Sequence, residues 1–363
     1  MGWHPGDLTV TSGGAPLVAS PARLASHVFD DQGTQHVFYR TADRRVVELW
    51  WRGGEAARWG YLTTSANGAP PAAADPTCHV FAAEGTQHVF YRATDGLIVE
   101  LWWRGGETAH WGYLTKPGNK PPAAPGNLAS HVFAAEGTQH VFYRATDGHI
   151  IELWWRSDAA IPEDLTERSG EAPLAAGDPV SHVLDADGSQ HVFYASVDNQ
   201  VIELWWRPGE KPHVENLTMR SVGAPPSGFG DRPTSHVFSA DGTQHVFYNS
   251  ADAHIIELRW PNQTPPWRDL LDGLGEAASS APTSHVFAAK GIQHVFYSNQ
   301  ELHIMRVGVR GNESPAHQDL TIASGGAPHA IGGPTSHVFA AEGTQHVFYT
   351  TVQDHIVELW ADE

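Results

Sequence analysis

Ser130-His131-Val132-Phe133, Gly137-Thr138-Gln139-His140-Val141-Phe142-Tyr143 and Ile150-Ile151-Glu152-Leu153-Trp154-Trp155 form one phrase that returns seven times along the chain. Its first histidine stands at His27, His79, His131, His182, His236, His285 and His337, so successive copies begin 52, 52, 51, 54, 49 and 52 residues apart. Ser130 to Phe133 alternates small and large residues and predicts a first strand (A). Thr138 to Arg144, rich in β-branched and aromatic residues, predicts a second (B). Thr146-Asp147-Gly148 is a hairpin signal with Gly148 as the left-handed residue, and His149 to Trp155 predicts the third strand (C). A fourth strand (D) is expected at the weaker phrases Tyr113-Leu114-Thr115, Asp164-Leu165-Thr166, Asn216-Leu217-Thr218, Asp269-Leu270-Leu271 and Asp319-Leu320-Thr321. Pro-Pro and Gly-Ala-Pro linkers follow these phrases. A period near 50 residues built of short strands predicts an all-β, seven-bladed β-propeller of about 52 residues per blade. Each blade has two apolar faces that it cannot bury alone, so the copies must stack.

The ends are out of phase with the repeat. The chain opens on Asp7-Leu8-Thr9 and the linker Ser12-Gly13-Gly14-Ala15-Pro16, and it closes just after Ile356-Val357-Glu358-Leu359-Trp360. The last repeat therefore lacks a fourth strand of its own. Residues 7–9 are expected to pair beside residues 355–360 as the outer strand of the last blade, which removes an exposed edge. The repeats run end to end, so a single domain is expected over residues 1–363.

The bulk properties narrow the function classes. A net charge of −19 opposes binding to nucleic acid phosphates or anionic membrane surfaces. No segment is long and apolar enough to span a bilayer. The N-terminus has no basic stretch followed by an apolar run, so the expected location is cytoplasmic, or outside the cell by release without a classical signal peptide. Cys78 is the only cysteine, standing where the other copies have Ser, and it leaves no intramolecular disulfide. No cofactor, metal site or catalytic residue is expected.

Three recurring side chains carry the candidate chemistry. The strand-B histidines are His36, His88, His140, His191, His245, His294 and His346. Two histidines nine apart in every copy do not make a zinc site, which needs three or four converging ligands. They read as structural residues of the repeat or as polar recognition groups. Strand C carries Glu48, Glu100, Glu152, Glu203, Glu257 and Glu358, with Arg306 in the sixth copy. A carboxylate inside an apolar strand is costly unless it is paired. Beyond it stand Trp50, Trp102, Trp154, Trp205 and Trp360, with Arg259 and Val307 expected in their place in blades five and six. With a three-residue hairpin, His140, Phe142 and Arg144 share a face with Ile150, Glu152 and Trp154. This His–Glu–Trp set fits two readings: a buried pair beneath a packed indole, or a carbohydrate pocket in which polar groups bond hydroxyls while the indole stacks on a sugar ring. The candidate sugar-binding residues are thus His36, Glu48, Trp50, His88, Glu100, Trp102, His140, Glu152, Trp154, His191, Glu203, Trp205, His346, Glu358 and Trp360. They define about five complete clefts, the blade-six cleft being incomplete, and repetition would supply avidity.

The phrase His-Val-Phe-Tyr-x-x-x-Asp-Gly-x-Ile-x-Glu-x-x-Trp resembles the blade motif of the fucose-specific lectin propellers, which include six-bladed fungal and seven-bladed Photorhabdus-type members. The resemblance covers essentially the whole chain. It implies multivalent glycan binding in clefts between adjacent blades, with fucose or a related or modified monosaccharide as ligand. In the fungal members an Arg on strand B and a Glu twelve residues later bond the fucose. In this chain the residue twelve before each Glu is His, as in His140 and Glu152, while Arg40, Arg92 and Arg144 lie four residues further on. Two alternatives remain: an enzyme with one site in or over a central channel, or a protein-interaction scaffold. No loop insertion marks a single asymmetric site. Trp59-Gly60-Tyr61 and Trp111-Gly112-Tyr113, confined to blades one and two, would mark an interaction edge or pack the outer strand.

Overall fold

The structure, a computed structural model, describes residues 2–116, 118, 123, 125–156, 159–170, 172–228, 230–238, 242–261 and 265–362. The Pro121-Pro122 linker lies outside the described residues. The chain forms seven four-stranded antiparallel sheets, the blades of a seven-bladed β-propeller. Blade 1 consists of Ala25–Phe29, Thr34–Arg40, Val46–Trp51 and Arg58–Tyr61, strands A to D in chain order. Blade 3 repeats it as Ala129–Phe133, Thr138–Arg144, Ile150–Trp155 and Ile161–Asp164. The Trp59-Gly60-Tyr61 phrase falls within the outer strand of blade 1. Gly148 takes the hairpin's left-handed position at φ 88°, as expected.

Blade 7 is completed from the other end of the chain. Its strands are Ala330–Phe339, Thr344–Thr351 and Ile356–Asp362, and its outer strand is His4–Asp7, with His4 opposite Trp360 and Asp7 opposite Val357. The expected clasp is present, but residues 8 and 9 are not part of it. Asp7 ends the strand and its carboxylate accepts the Val10 N–H at 3.0 Å, capping a short helical turn over Leu8–Thr11. Asp164, Asn216 and Asp319 cap the turns Leu165–Ser169, Leu217–Arg220 and Leu320–Ala323 in the same way. The threonine of each phrase then reaches back to strand C. Thr9, Thr166, Thr218 and Thr321 hydroxyls accept the first strand-C N–H of their blade, each at 2.9 Å. The recurring Asp/Asn-Leu-Thr phrase is therefore a capped turn that closes the outer strand, not the strand itself. The polar side chains compete for backbone groups that a strand would have left to its neighbour.

The contacts gather into two compact units. One comprises Met1–Asp95, Val99–Gly112 and Pro282–Glu363; the other comprises Gly96–Ile98 and Tyr113–Ala281. Within the first, the period-2 alternation of strand B sends its side chains to opposite neighbours. Val37, Tyr39, Val47 and Leu49 of blade 1 pack with Phe348 and Ile356 of blade 7. Phe38 and Val46 pack with Val89, Tyr91, Val99 and Leu101 of blade 2. An indole at the end of strand C seals each such interface edge-on against a phenyl ring: Trp51 on Phe348 at 5.8 Å and Trp103 on Phe38 at 6.0 Å. In the second unit Trp206 meets Phe142 at 6.2 Å and Trp260 meets Phe193 at 6.0 Å. Blade 7 has Ala361 at this position. Its missing ring is supplied by Trp3, which is 3 % exposed and meets Phe296 of blade 6 at 6.4 Å and 76°.

The linkers are fastened by strand-B tyrosines. Tyr39, Tyr91, Tyr194, Tyr248 and Tyr349 donate from Oη to the carbonyls of Pro16, Pro70, Pro173, Pro225 and Pro328 at 2.6–2.8 Å.

Candidate functional site

Strand register brings the expected residues together. His140 lies opposite Trp154, Phe142 opposite Glu152 and Arg144 opposite Ile150, so His, Glu and Trp share one face of the blade. In six blades the buried strand-B imidazole sits between two fixed partners. Its Nδ1 is 2.6–2.7 Å from a glutamate Oε1, in the pairs His36–Glu48, His88–Glu100, His140–Glu152, His191–Glu203, His245–Glu257 and His346–Glu358. Its Nε2 is 2.6–2.7 Å from the hydroxyl two residues earlier: Thr34, Thr86, Thr138, Ser189, Thr243 or Thr344. Both ring nitrogens are thus engaged, and the histidine orients the carboxylate. In blade 1 burial pushes Glu48 up to about 8 and His36 down to about 3. The pair therefore carries no net charge at neutral pH.

The carboxylate has an oxygen to spare. Glu48 Oε2 makes no hydrogen bond among the described residues, and Glu48 lines a cleft of about 380 Å³ with His36, Trp50, Tyr61, Gln87 and Trp103. Residues 105–109 of blade 2 wall its far side. The first indole of strand C is half-buried in each complete blade, unlike the buried second one. One face is covered from strand D: His213 stacks on Trp205 at 4.4 Å, and His4 lies 4.6 Å from Trp360. A half-buried indole beside a carboxylate with a free lone pair can take the C–H face and a hydroxyl of a sugar together.

A second polar device was missed in the sequence. Within each compact unit the glutamine preceding the strand-B histidine ties neighbouring blades through the strand-A histidine. His27 Nε2 meets Gln87 Oε1 at 2.7 Å, His131 meets Gln190 at 2.8 Å, His182 meets Gln244 at 2.9 Å, and His337 meets Gln35 at 2.9 Å. The invariance of Thr/Ser-Gln-His across most copies was the available signal. Gln87 also lines the blade-1 cleft, so the tether doubles as part of its wall.

Blades 5 and 6 depart from the pattern. In blade 5, Arg259 occupies the indole position opposite His245 and is buried. Glu257 is taken at both oxygens, by His245 and by Arg268. Burial raises this carboxyl, but the two hydrogen bonds and the Arg268 charge outweigh it and hold the group at about 2. In blade 6 the residue opposite His294 is Gly308, with Arg306 opposite Phe296. The indole position is thus Gly308 rather than the expected Val307, because residues two apart share a face and Val307 points the other way. Among the described residues, no group of three or more His, Cys, Asp or Glu is placed to hold a metal ion.

No protein-family model and no curated protein sequence matches the chain. Its fold is similar to that of the BP39L lectin from Burkholderia pseudomallei, with a TM-score of 0.67, 14 % identity, and 94 % of this chain and 96 % of that one covered. AofleA from Arthrobotrys oligospora gives a TM-score of 0.55 at 15 % identity, covering 87 % and 89 %. The Aleuria aurantia lectin, solved with alpha-methyl-L-fucoside, gives 0.52 at 12 %, covering 84 % and 96 %.

Proposed function

We propose that the protein is a multivalent carbohydrate-binding protein whose sites lie in the clefts beside strand C of the complete blades. The observation that carries this reading is the blade-1 cleft, where Glu48 Oε2, the half-buried Trp50 ring and Gln87 meet around about 380 Å³. Glu48 accepts a hydroxyl, Trp50 packs on the ring carbons, and His36 holds the carboxylate in place. Equivalent sets stand at Glu100 and Trp102, Glu152 and Trp154, Glu203 and Trp205, and Glu358 and Trp360, giving five related clefts. Solved structures with a similar fold include lectins, two of them in complex with an alpha-methyl fucoside, so alpha-methyl-L-fucoside is the first ligand to try. A second class of reading, an enzyme with one site, would give one ligand per chain where the lectin reading gives several.

The test is a glycan-array screen followed by calorimetry on the best ligand. More than one ligand should bind per chain, and Trp50→Ala with Glu48→Gln should remove about one of them. A stoichiometry of one that is untouched by these substitutions would sink the proposal.

A further inference from the structure

The sixth blade changes all the members of the recurring set at once. Where the complete blades have Thr or Ser, Glu and Trp around the strand-B histidine, this one has Ile292, Arg306 and Gly308. With its carboxylate gone, the His294 ring stands at 80° to Phe296, whereas the other strand-B rings lie within 13° of theirs. Nδ1 now donates to Gln345 Oε1 of blade 7 at 2.6 Å. With Ile292 in place of threonine, Nε2 has no hydrogen-bond partner among the described residues, and its lone pair is left to accept.

The charge is inverted as well. The guanidinium of Arg306 makes no ion pair among the described residues, its Nε is buried without a hydrogen-bond partner, and its Cζ lies 5.9 Å from the centroid of the Trp3 ring. Arg306 and His294 line a cleft of about 190 Å³ together with Lys290, Arg310 and Glu313. Three cations against one carboxylate is a local excess of positive charge in a chain of net charge −19. Gly308, where the complete blades have an indole, puts no side chain into this cleft and lines it with backbone alone.

We infer that the blade-6 cleft binds an acidic monosaccharide, a hexuronate or similar carboxylate-bearing sugar, with Arg306 on the carboxylate and His294 Nε2 accepting a hydroxyl. The pyranose part rests on the carbohydrate reading above; the selection for a negative charge comes from Arg306. A planar guanidinium matches a carboxylate with two parallel N–H donors, and the partly buried setting strengthens them. The five complete clefts have Glu and Trp at these two positions and no guanidinium there to match the same ligand.

Titration calorimetry on the full chain decides the matter, using methyl glucuronide, its methyl ester, methyl glucoside and alpha-methyl-L-fucoside at low salt. The glucuronide should bind roughly ten-fold or more tightly than its ester or the glucoside, the difference expected of a charge-assisted contact. Arg306→Gln should abolish that preference and leave fucoside binding as it was. Equal affinity for glucuronide and ester overturns the proposal without any variant, as does a preference that survives Arg306→Gln. If the fucoside fails to bind while the Arg306-dependent preference is present, the wider reading of the other clefts falls and this one stands.

Discussion

Lowering the pH from about 7.5 to about 5 should destabilise this fold far more than an ordinary domain of its size, because several histidines are held uncharged inside it. Burial drives His27 and His182 down to about 3 from 6.5, with the neighbouring strand-B histidine adding to the effect. His294 falls to about 4 through burial and the charge of Arg306, and His337 is driven well below 6.5. A histidine whose folded pKa is depressed contributes its full stability above the unfolded value, and loses it as pH falls from 6.5 toward the folded value. Between those limits the unfolded chain takes up a proton that the folded chain refuses. One unit of pKa is worth about 1.4 kcal/mol, so at about pH 5 each of His27, His182 and His294 removes roughly 2 kcal/mol, and the three together about 6. That is comparable with the whole stability of a typical domain. The His36–Glu48 pair does not add to the loss across the middle of this window, because Glu48, raised to about 8, gains stability with acid while His36 loses it. Urea denaturation at four or five pH values is the assay, and the slope of unfolding free energy against pH gives the protons taken up. Near pH 5 it should correspond to about three or more protons. A free energy that is flat between about pH 7 and pH 5, or an uptake below about one proton, would show that these histidines are not desolvated as described.

Other substitutions probe the joints of the fold. Trp3→Ala removes the indole that packs on Phe296 at the blade 6–blade 7 edge and should cost about 3–5 kcal/mol in urea denaturation; a cost under about 1 kcal/mol would mean the space is filled from elsewhere. Gln35→Leu leaves the buried His337 Nε2 without its acceptor and should cost about 1–3 kcal/mol, with a null effect refuting the tether between blades 7 and 1. Leu302 holds a left-handed φ of 64° in the blade-6 hairpin, so Leu302→Gly should raise stability by about 0.5–1 kcal/mol, and a lowered melting temperature would contradict that account.

The blade count, the strand B and C boundaries and the convergence of His, Glu and Trp were legible in the sequence, because strand alternation and a fixed hairpin leave one register. The Asp-Leu-Thr phrase was misread for a local reason. Its leucine is buried like a strand residue, while its flanking polar residues are spent on backbone caps that hydrophobic patterning does not register. The glutamine tether was passed over because a polar residue beside a conspicuous histidine carries no periodic signal of its own. Trp3 had no repeat to belong to: its meaning appears only when Ala361, at the far end of the chain, is found to lack a ring.

That last substitution bears on how near-identical parts find their places. Blades 1, 2 and 3 share the strand Thr-Gln-His-Val-Phe-Tyr-Arg, and the same histidine–glutamine tether joins blade 1 to 2, 3 to 4, 4 to 5 and 7 to 1. Such joints hold well but carry no address, so a half-folded chain can dock a blade against the wrong neighbour, the characteristic hazard of repeat proteins. Trp3 and Ala361 act as a key and its lock. Ala361 leaves the room that Trp3 fills, whereas an indole in that place, as at Trp51, Trp103, Trp206 or Trp260, would occupy it, so those blades refuse the N-terminal segment that the blade ending in Ala361 accepts. The least regular pair in the sequence is what tells the regular ones where to begin counting.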